Sequence, residues 1–216
     1  MDNRRGSKMT TDRMIKRFDK ILRIVTGQTV HKRRDLPGSQ DSDLSMKPSE
    51  RRVAGKLMRV NHSGEMCAQA LYLGQSFFSR EESTFDCLSG AALEEADHLY
   101  WCTRRLEELE AKPSKLNPIW VTGSCVMGVF FGLAGDSTSL GFVEETEKQV
   151  VEHLNGHLRR LPKSDLRSYS IINVMLEDEA MHATRARAHG GKPLPKLLRR
   201  VMALQARVMT TVSYKL

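Results

Sequence analysis

Two short motifs in the sequence place a histidine three residues after a glutamate. They are Glu95 with His98 and Glu179 with His182. Three residues along a helix bring two side chains onto one face, about one turn apart. Each motif therefore offers a carboxylate and an imidazole to a single point, which is the chemistry of a metal ligand pair.

A further glutamate precedes each motif by about the length of a helical hairpin. Glu65 stands 30 residues before the first motif, and Glu147 stands 32 residues before the second. The midpoints of these intervals fall in polar breaks, at residues 79–83 and at 162–165, where Pro162 begins the break. Such breaks are typical of helix ends. We therefore predict two antiparallel helical hairpins, each with its extra glutamate level with the motif on the opposite helix.

Packing the two hairpins together would collect four carboxylates and two imidazoles in one bundle core. This is the ligand set of a ferritin-like di-iron or di-manganese carboxylate site. Three of the glutamates occupy apolar positions on the inward seam of their helices: Glu95, Glu147 and Glu179. Glu65 lies one position from its seam, whereas Glu94 and Asp178 fall off theirs. Because burying a carboxylate is unfavourable unless it is paired or bound to metal, the seam positions indicate ligands.

A simpler interpretation remains open for each glutamate taken alone. A single buried glutamate in a helix is more often paired with Lys or Arg than with a metal ion. Four glutamates at mirrored positions, two of them followed by histidine one turn on, favour the metal centre.

The helices around these residues predict an all-α protein. The chain has 216 residues, is 40% hydrophobic and is only 6% aromatic, and its apolar residues recur with helical periodicity. We predict helices over about 48–79 and 82–111, then the second hairpin, then an amphipathic helix over about 195–213. The expected fold is a ferritin-like four-helix bundle of two antiparallel hairpins, with an apolar crossover helix between them and the C-terminal amphipathic helix after them.

The apolar segment between the hairpins, residues 119–135, carries no charge. Its 17 residues lie just below the roughly 20 that a bilayer-spanning helix needs. Four glycines and two hydroxyl side chains favour close helix packing or seating at a membrane interface. A buried crossover helix and a membrane-contacting helix both remain open from sequence.

The net charge of +8 is concentrated at the N-terminus, since residues 1–47 hold 12 Lys and Arg against 6 Asp. We predict a basic arm over 1–47, with a short amphipathic helix over 10–26 and a linker over 27–47, followed by a catalytic domain over 48–216. A basic arm suits nucleic acid or an anionic membrane surface, and it is equally compatible with a solvated tail.

The cysteines and the N-terminus give expectations about the compartment. The four cysteines have no metal-site spacing and predict reduced, mostly buried thiols: Cys67, Cys87, Cys102 and Cys125. The N-terminus lacks the apolar core of a secretory signal.

Beyond these patterns, residues 50–216 resemble the 3-demethoxyubiquinol 3-hydroxylase (demethoxyubiquinone monooxygenase) family. The most specific motifs are Arg-Val-Asn-His-Ser-Gly-Glu at 59–65, Glu-Glu-Ala-Asp-His-Leu at 94–99 and Ser-Leu-Gly-Phe-Val at 139–143. Shorter matches lie at 67–72, 113–114, 116–118, 132–136, 146–147, 178–179 with His182, and 208–210.

The resemblance implies an O2-dependent hydroxylase of ubiquinone biosynthesis that adds a hydroxyl to the ring of a polyprenylated quinol. It implies two iron ions: Glu65, Glu95 and His98 would hold one, and Glu147, Glu179 and His182 the other. Glu95 and Glu179 would bridge both irons. His153 matches a family histidine near the site and is the candidate catalytic proton or electron relay.

The resemblance and the amphipathic helices together imply a peripheral membrane protein. We expect it on the cytoplasmic face of a bacterial cell membrane, or on the mitochondrial inner membrane in a eukaryote. A homo-oligomer and a lipid-presenting partner remain open, and we expect no nucleic-acid partner. Two alternatives compete: a soluble ferritin-like metal store or manganese catalase, and a basic helical nucleic-acid-binding protein. The second explains the arm but not the glutamates on apolar seams.

Overall fold

The structure is a computed structural model that describes residues 11–26, 34–40 and 46–216. Over these residues the chain forms seven α-helices and no strand. They are α1 (Thr11–Val25), α2 (Pro48–Phe78), α3 (Glu82–Glu108), α4 (Asn117–Ala134), α5 (Asp136–Leu158), α6 (Leu166–Ala188) and α7 (Lys196–Lys215). The all-α prediction is confirmed. The predicted linker falls partly outside the described residues, at 27–33 and 41–45.

Two hairpins form the body of the molecule. Helix α2 packs along α3, α5 packs along α6, and the hairpins meet through contacts between α3 and α6 and between α2 and α5. The first turn is fixed by Asp136 at the start of α5, whose carboxylate accepts hydrogen bonds from the backbone N–H groups of Arg80 and Glu81 at 2.9 Å. The second turn ends at Asp165, which caps α6 by accepting a hydrogen bond from the Ser168 N–H. The arrangement is a ferritin-like helical bundle.

The interior of the bundle consists of two apolar layers with a polar layer between them. One layer joins residues such as Leu71, Leu88 and Leu140. The other joins residues such as Leu57 and Ile172. Along each of the four hairpin helices, the predicted ligand positions lie between the segments that enter these two layers. Apolar packing therefore surrounds the polar layer on both sides along the bundle axis.

Helix α4 lies against α2 at very short distance because glycines face each other across the contact. A Cβ at Gly128 would overlap the carbonyl oxygen of Leu71, and a Cβ at Gly74 would stand 2.9 Å from the carbonyl oxygen of Cys125. Of the two alternatives for this segment, these contacts show close packing against α2, while seating at a membrane interface stays a prediction. By length and composition α4 is the one helix among the described residues that could cross a membrane, and 22% of it is buried. Its outer side exposes apolar residues such as Phe130, which is 65% exposed.

The N-terminal residues contact the bundle at two places. In α1 the buried Arg17 donates to the Ser79 carbonyl at the α2–α3 turn and pairs with Glu82 at 3.0 Å. The segment 34–40 contacts the opposite end of the bundle, where Leu36 packs against the second apolar layer. Helix α1 turns apolar residues outward, among them Phe18, and α7 does the same with Leu204.

Candidate metal centre

The structure brings all six predicted ligand residues together in the polar layer. Two overlapping groups have one potential ligand atom per residue within 4.8 Å of one another. The groups are Glu65, Glu95, His98 and Glu179, and Glu95, Glu147, Glu179 and His182. Every member is buried, with at most 4% of the residue exposed. Glu95 and Glu179 belong to both groups, the positions that the family resemblance assigns to bridging ligands.

Each histidine directs one ring nitrogen into the cluster. From the other ring nitrogen it donates a hydrogen bond to a carboxylate outside the two ligand groups. In His98, Nδ1 lies 3.2 Å from Glu179 Oε1 and 3.3 Å from Glu95 Oε2. In His182, Nδ1 lies 3.0 Å from Glu179 Oε2 and 3.3 Å from Glu95 Oε1. Both rings therefore offer Nδ1 to the space between the carboxylates.

The outer nitrogens are held by the two carboxylates that directly precede the bridging positions. His98 Nε2 donates to Asp178 Oδ2 at 2.9 Å, and His182 Nε2 donates to Glu94 Oε2 at 2.7 Å. The pairing crosses between hairpins, since Asp178 is on α6 and His98 is on α3. A proton held on Nε2 leaves the Nδ1 lone pair free for a metal ion, and such partners fix the orientation of a ligand ring.

Sequence reasoning missed Glu94 and Asp178 because both fall off the inward seams. A usable signal was present, because each of the two glutamates shared by both groups directly follows another acidic residue, in Glu94–Glu95 and Asp178–Glu179. The repeated acidic pair marks the same place in both hairpins.

The protonation of the cluster reflects a surplus of buried negative charge. Burial raises the pKa of Glu147 well above its usual value, and the charge of Glu179 raises it further. Burial opposes charge on His98 as well, but Asp178 and the cluster carboxylates outweigh it and raise the pKa of His98. The same balance raises the pKa of His182. Protons on the imidazoles thus supply, in the metal-free chain, positive charge that bound cations would supply instead.

Several buried atoms of the cluster make no hydrogen bond to any described group. They are both carboxylate oxygens of Glu95, Nδ1 of His98 and Oε1 of Glu147. Buried polar atoms are rarely left without partners, and these four all belong to the two ligand groups. A mixed set of carboxylate and imidazole donors suits iron or manganese better than a structural zinc ion, which usually takes thiolates. The residues present therefore fit a two-metal centre.

A cavity of about 660 Å³ runs from the cluster to the surface. Glu65, Glu147 and Glu179 stand at its inner end. Its walls come from α2, α4, α5 and α7 and are largely apolar, with Phe142 and Met202 among them. The chain thus provides an apolar route from outside to three of the six predicted ligands.

His153, the predicted relay, lies on the wall of this cavity and outside both ligand groups. Its ring is 3.9 Å from that of His157, centroid to centroid. Burial, with the charge of Arg160, lowers the pKa of His153 to about 4. The ring is therefore neutral at pH 7, and its relay role stays a prediction.

The fold and the site together define a class: ferritin-like helical bundles with a buried carboxylate and histidine centre for metal. The family model described as ubiquinone biosynthesis protein COQ7 matches residues 52–213. The chain belongs to this family.

Curated relatives agree over nearly the whole chain. The 3-demethoxyubiquinol 3-hydroxylase of Ralstonia pickettii is 45% identical, with 95% of this chain and 99% of the relative covered. Proteins of the same name from Cupriavidus metallidurans and Polynucleobacter asymbioticus are 46% and 48% identical, each over 95% of this chain and 100% and 98% of their own.

Proposed function

We propose that this protein is a 3-demethoxyubiquinol 3-hydroxylase, which adds a hydroxyl group to the ring of a polyprenylated demethoxyubiquinol in ubiquinone biosynthesis. One atom of O2 is inserted into a ring C–H bond to give the hydroxyl group, and the other is reduced to water with two electrons from a donor and two protons. The observation that carries the proposal is the buried cluster of four glutamates and two histidines at the inner end of an apolar cavity. Family membership and the names of the relatives support the same activity.

We assign two iron ions to the cluster. Glu65 and His98 would hold one iron, Glu147 and His182 the other, and Glu95 with Glu179 would bridge them. When bound, the iron pair supplies the reactivity toward O2 that the organic side chains lack. Four carboxylates match the charge of two divalent cations, so metal binding would displace the protons on Nδ1 of the two imidazoles and leave those on Nε2.

The residues of the chain position the substrate and exclude water. The apolar cavity walls hold the tail and orient the ring toward Glu65, Glu147 and Glu179, and the apolar layers above and below the cluster keep solvent out. His153, neutral on the cavity wall, would pass a proton along the cavity. Asp178 and Glu94 hold the two ligand imidazoles in the orientation that metal binding requires.

The position of the cavity supports a membrane source for the substrate. Its outer walls belong to α4 and α7, and both helices turn large apolar residues to the outside, such as Val126, Phe130, Leu197 and Leu204. A quinol with a long apolar tail resides in a bilayer, and amphipathic helices bind at bilayer surfaces. We therefore place the protein peripherally on the membrane, on the cytoplasmic face of a bacterial cell membrane. The apolar outer face of α1 is a candidate surface for a second copy or a lipid-presenting partner.

This arrangement favours the hydroxylase over a soluble ferritin-like metal store or a manganese catalase. Metal ions and hydrogen peroxide are small and polar. A 660 Å³ apolar cavity that opens between exposed apolar helices matches a large apolar substrate instead.

Metal analysis combined with an activity assay tests the proposal. We expect about two irons per chain and O2-dependent conversion of demethoxyubiquinol in wild type. Glu179→Ala should lose metal and activity together, because Glu179 belongs to both ligand groups. Glu177→Ala changes an exposed glutamate on the same helix and serves as the control. Full metal content in Glu179→Ala would contradict the assignment of the centre.

Flotation with anionic phospholipid vesicles tests the membrane placement. Wild type should float with the vesicles, and the double variant Phe130→Asp with Leu204→Asp should remain in the dense fraction. The same change at Leu166, an exposed apolar residue on α6, is the control. Equal flotation of the double variant and wild type would contradict this placement.

A further inference from the structure

The segment 34–40 crosses α3 and α6 beside the metal centre, although it lies far from both helices in sequence. Leu36 packs against the second apolar layer. The carbonyl of Ser39 accepts a hydrogen bond from Arg167 of α6 at 3.2 Å. The segment is thereby attached to the bundle at two points that follow Arg34 in the chain.

Arg34 reaches from this segment to the groups that hold His98. Its Nη2 donates to Asp178 Oδ2 at 2.8 Å and lies 3.2 Å from His98 Nε2, while its Nε donates to Asp97 Oδ2 at 3.3 Å. The guanidinium also lies over the ring of Trp101, at 4.7 Å from the centroid. One side chain from the N-terminal arm therefore joins α3 to α6 at the outer edge of the ligand cluster.

The two halves of the centre differ in which part of the chain supplies the arginine that pairs with the outer carboxylate. In the half that contains His182, the outer carboxylate Glu94 pairs with Arg185 at 2.9 Å, and Arg185 belongs to α6. In the half that contains His98, the corresponding carboxylate is Asp178, and Arg34 takes the place of Arg185. The hairpins alone thus complete one half of the outer contacts, and the arm completes the other half.

We propose that Arg34 is a positioning residue of the metal centre, which holds Asp178 so that Asp178 holds His98 with Nδ1 toward the cluster. The proposal rests on the proposed metal-binding function of that cluster. Its physical basis is geometric: a side-chain carboxylate can rotate between rotamers, and a guanidinium that contacts Asp178, Asp97 and Trp101 at once restricts Asp178 to one. The guanidinium also covers the outer edge of the His98 ring against water.

Lysine cannot reproduce these contacts. It provides one compact charge, whereas the planar guanidinium donates to two carboxylates and stacks on an aromatic ring. We therefore expect Arg34→Lys to keep part of the metal affinity that Arg34→Gln loses. This graded response separates positioning from a simple charge effect.

The experiment is a titration of metal-free, full-length protein with Mn²⁺, in which free Mn²⁺ is counted by its EPR signal. Wild type should bind two ions. In Arg34→Gln one of the two binding steps should weaken by about tenfold and the other should stay within about twofold, on the scale known for outer contacts of metal ligands. Arg34→Lys should weaken the same step by about threefold. Arg104→Gln, at an exposed ion pair with Glu107 on α3, should change neither step.

A second variant locates the effect. Arg185→Gln should weaken a binding step as well, and the double variant with Arg34→Gln should weaken both steps, because the two arginines serve different histidines. Thermal unfolding of the metal-free variants confirms that each is folded before it is titrated. Binding by Arg34→Gln within twofold of wild type at both steps would overturn the inference and leave the two-metal proposal standing. Fewer than two bound ions in wild type would overturn both.

Discussion

Glu147 provides a direct test of whether the buried cluster exists to bind metal. The residue is 1% exposed, its Oε1 has no hydrogen-bond partner in the described part of the chain, and burial raises its pKa well above the usual value. A polar group in this state destabilises the fold by about 1–3 kcal/mol. Leucine has a similar size and shape and suits the apolar seam that includes Val143 and Leu154. We expect Glu147→Leu to be more stable than wild type in EDTA by about 1–3 kcal/mol.

Bound metal should change the order of stability between wild type and Glu147→Leu. A cation that binds only the folded state stabilises wild type by about 2.7 kcal/mol at a free concentration of 100 times Kd. Glu147→Leu lacks a ligand of one of the two groups, so its gain should be clearly smaller. For a chain of this size, each kcal/mol moves Tm by about 2–4 °C. The Tm of wild type should therefore rise by about 5–11 °C at this metal concentration.

Differential scanning calorimetry under anaerobic conditions, in EDTA and in Mn²⁺, measures both effects. Glu177→Leu, an exposed site on α6, is the control and should stay within about 0.5 kcal/mol of wild type in both solutions. The reasoning is refuted if Glu147→Leu is less stable than wild type in EDTA, or if it gains as much from Mn²⁺ as wild type does.

Three further predictions follow from other parts of the structure. Asp178→Asn and Glu94→Gln should each lower metal affinity by about 10- to 100-fold, because each removes the carboxylate that holds a ligand imidazole; Mn²⁺ titration measures this, and unchanged affinity in both would contradict the crossed pairing. Gly128→Ala should destabilise the fold by about 1–3 kcal/mol in urea unfolding, because the new Cβ would overlap the Leu71 carbonyl; Gly123→Ala on the same helix meets nothing within 4 Å and should have little effect. Burial, with the charge of Arg160, lowers the pKa of His157 to about 2, so its folded form stays neutral while the unfolded form gains a proton below about pH 6.5. Stability should therefore fall as pH drops from 6.5 to 5, with His157 and the similarly shifted His153 each contributing up to about 1.4 kcal/mol per pH unit. His157→Gln should remove the share of His157 and make the slope shallower than in wild type, whereas the same change at the exposed His189 should not.

The helices and the six ligand positions were predictable from local spacing. The apolar periodicity of an amphipathic helix shows which face is buried. A glutamate at an apolar position of that face, such as Glu95, is therefore conspicuous in the sequence. The helix bounds agree with prediction to within a few residues; α3 ends at Glu108 instead of about 111, and Glu110 has φ of 55° just after it. The glycines of α4 likewise predicted close packing, because only a residue without Cβ permits the contact at Gly128.

The outer contacts of the centre were not predictable in the same way. Glu94 and Asp178 each contact a histidine of the other hairpin, and Arg34 reaches Asp178 from a third region of the chain. A seam analysis considers one helix at a time, so it placed the two acidic residues off the buried faces and assigned them no role. The same limit applies to the cavity, since four helices each contribute part of its wall.

The amino-acid sequence by itself determined the helices, their buried faces and the residues able to bind metal, because helical periodicity acts over three or four neighbouring residues. Only the tertiary structure decided which carboxylate holds which imidazole, how the arm reaches His98 and where the cavity opens. Those features depend on distances between segments that are 60 to 150 residues apart in the chain, and such distances are set by how the hairpins pack.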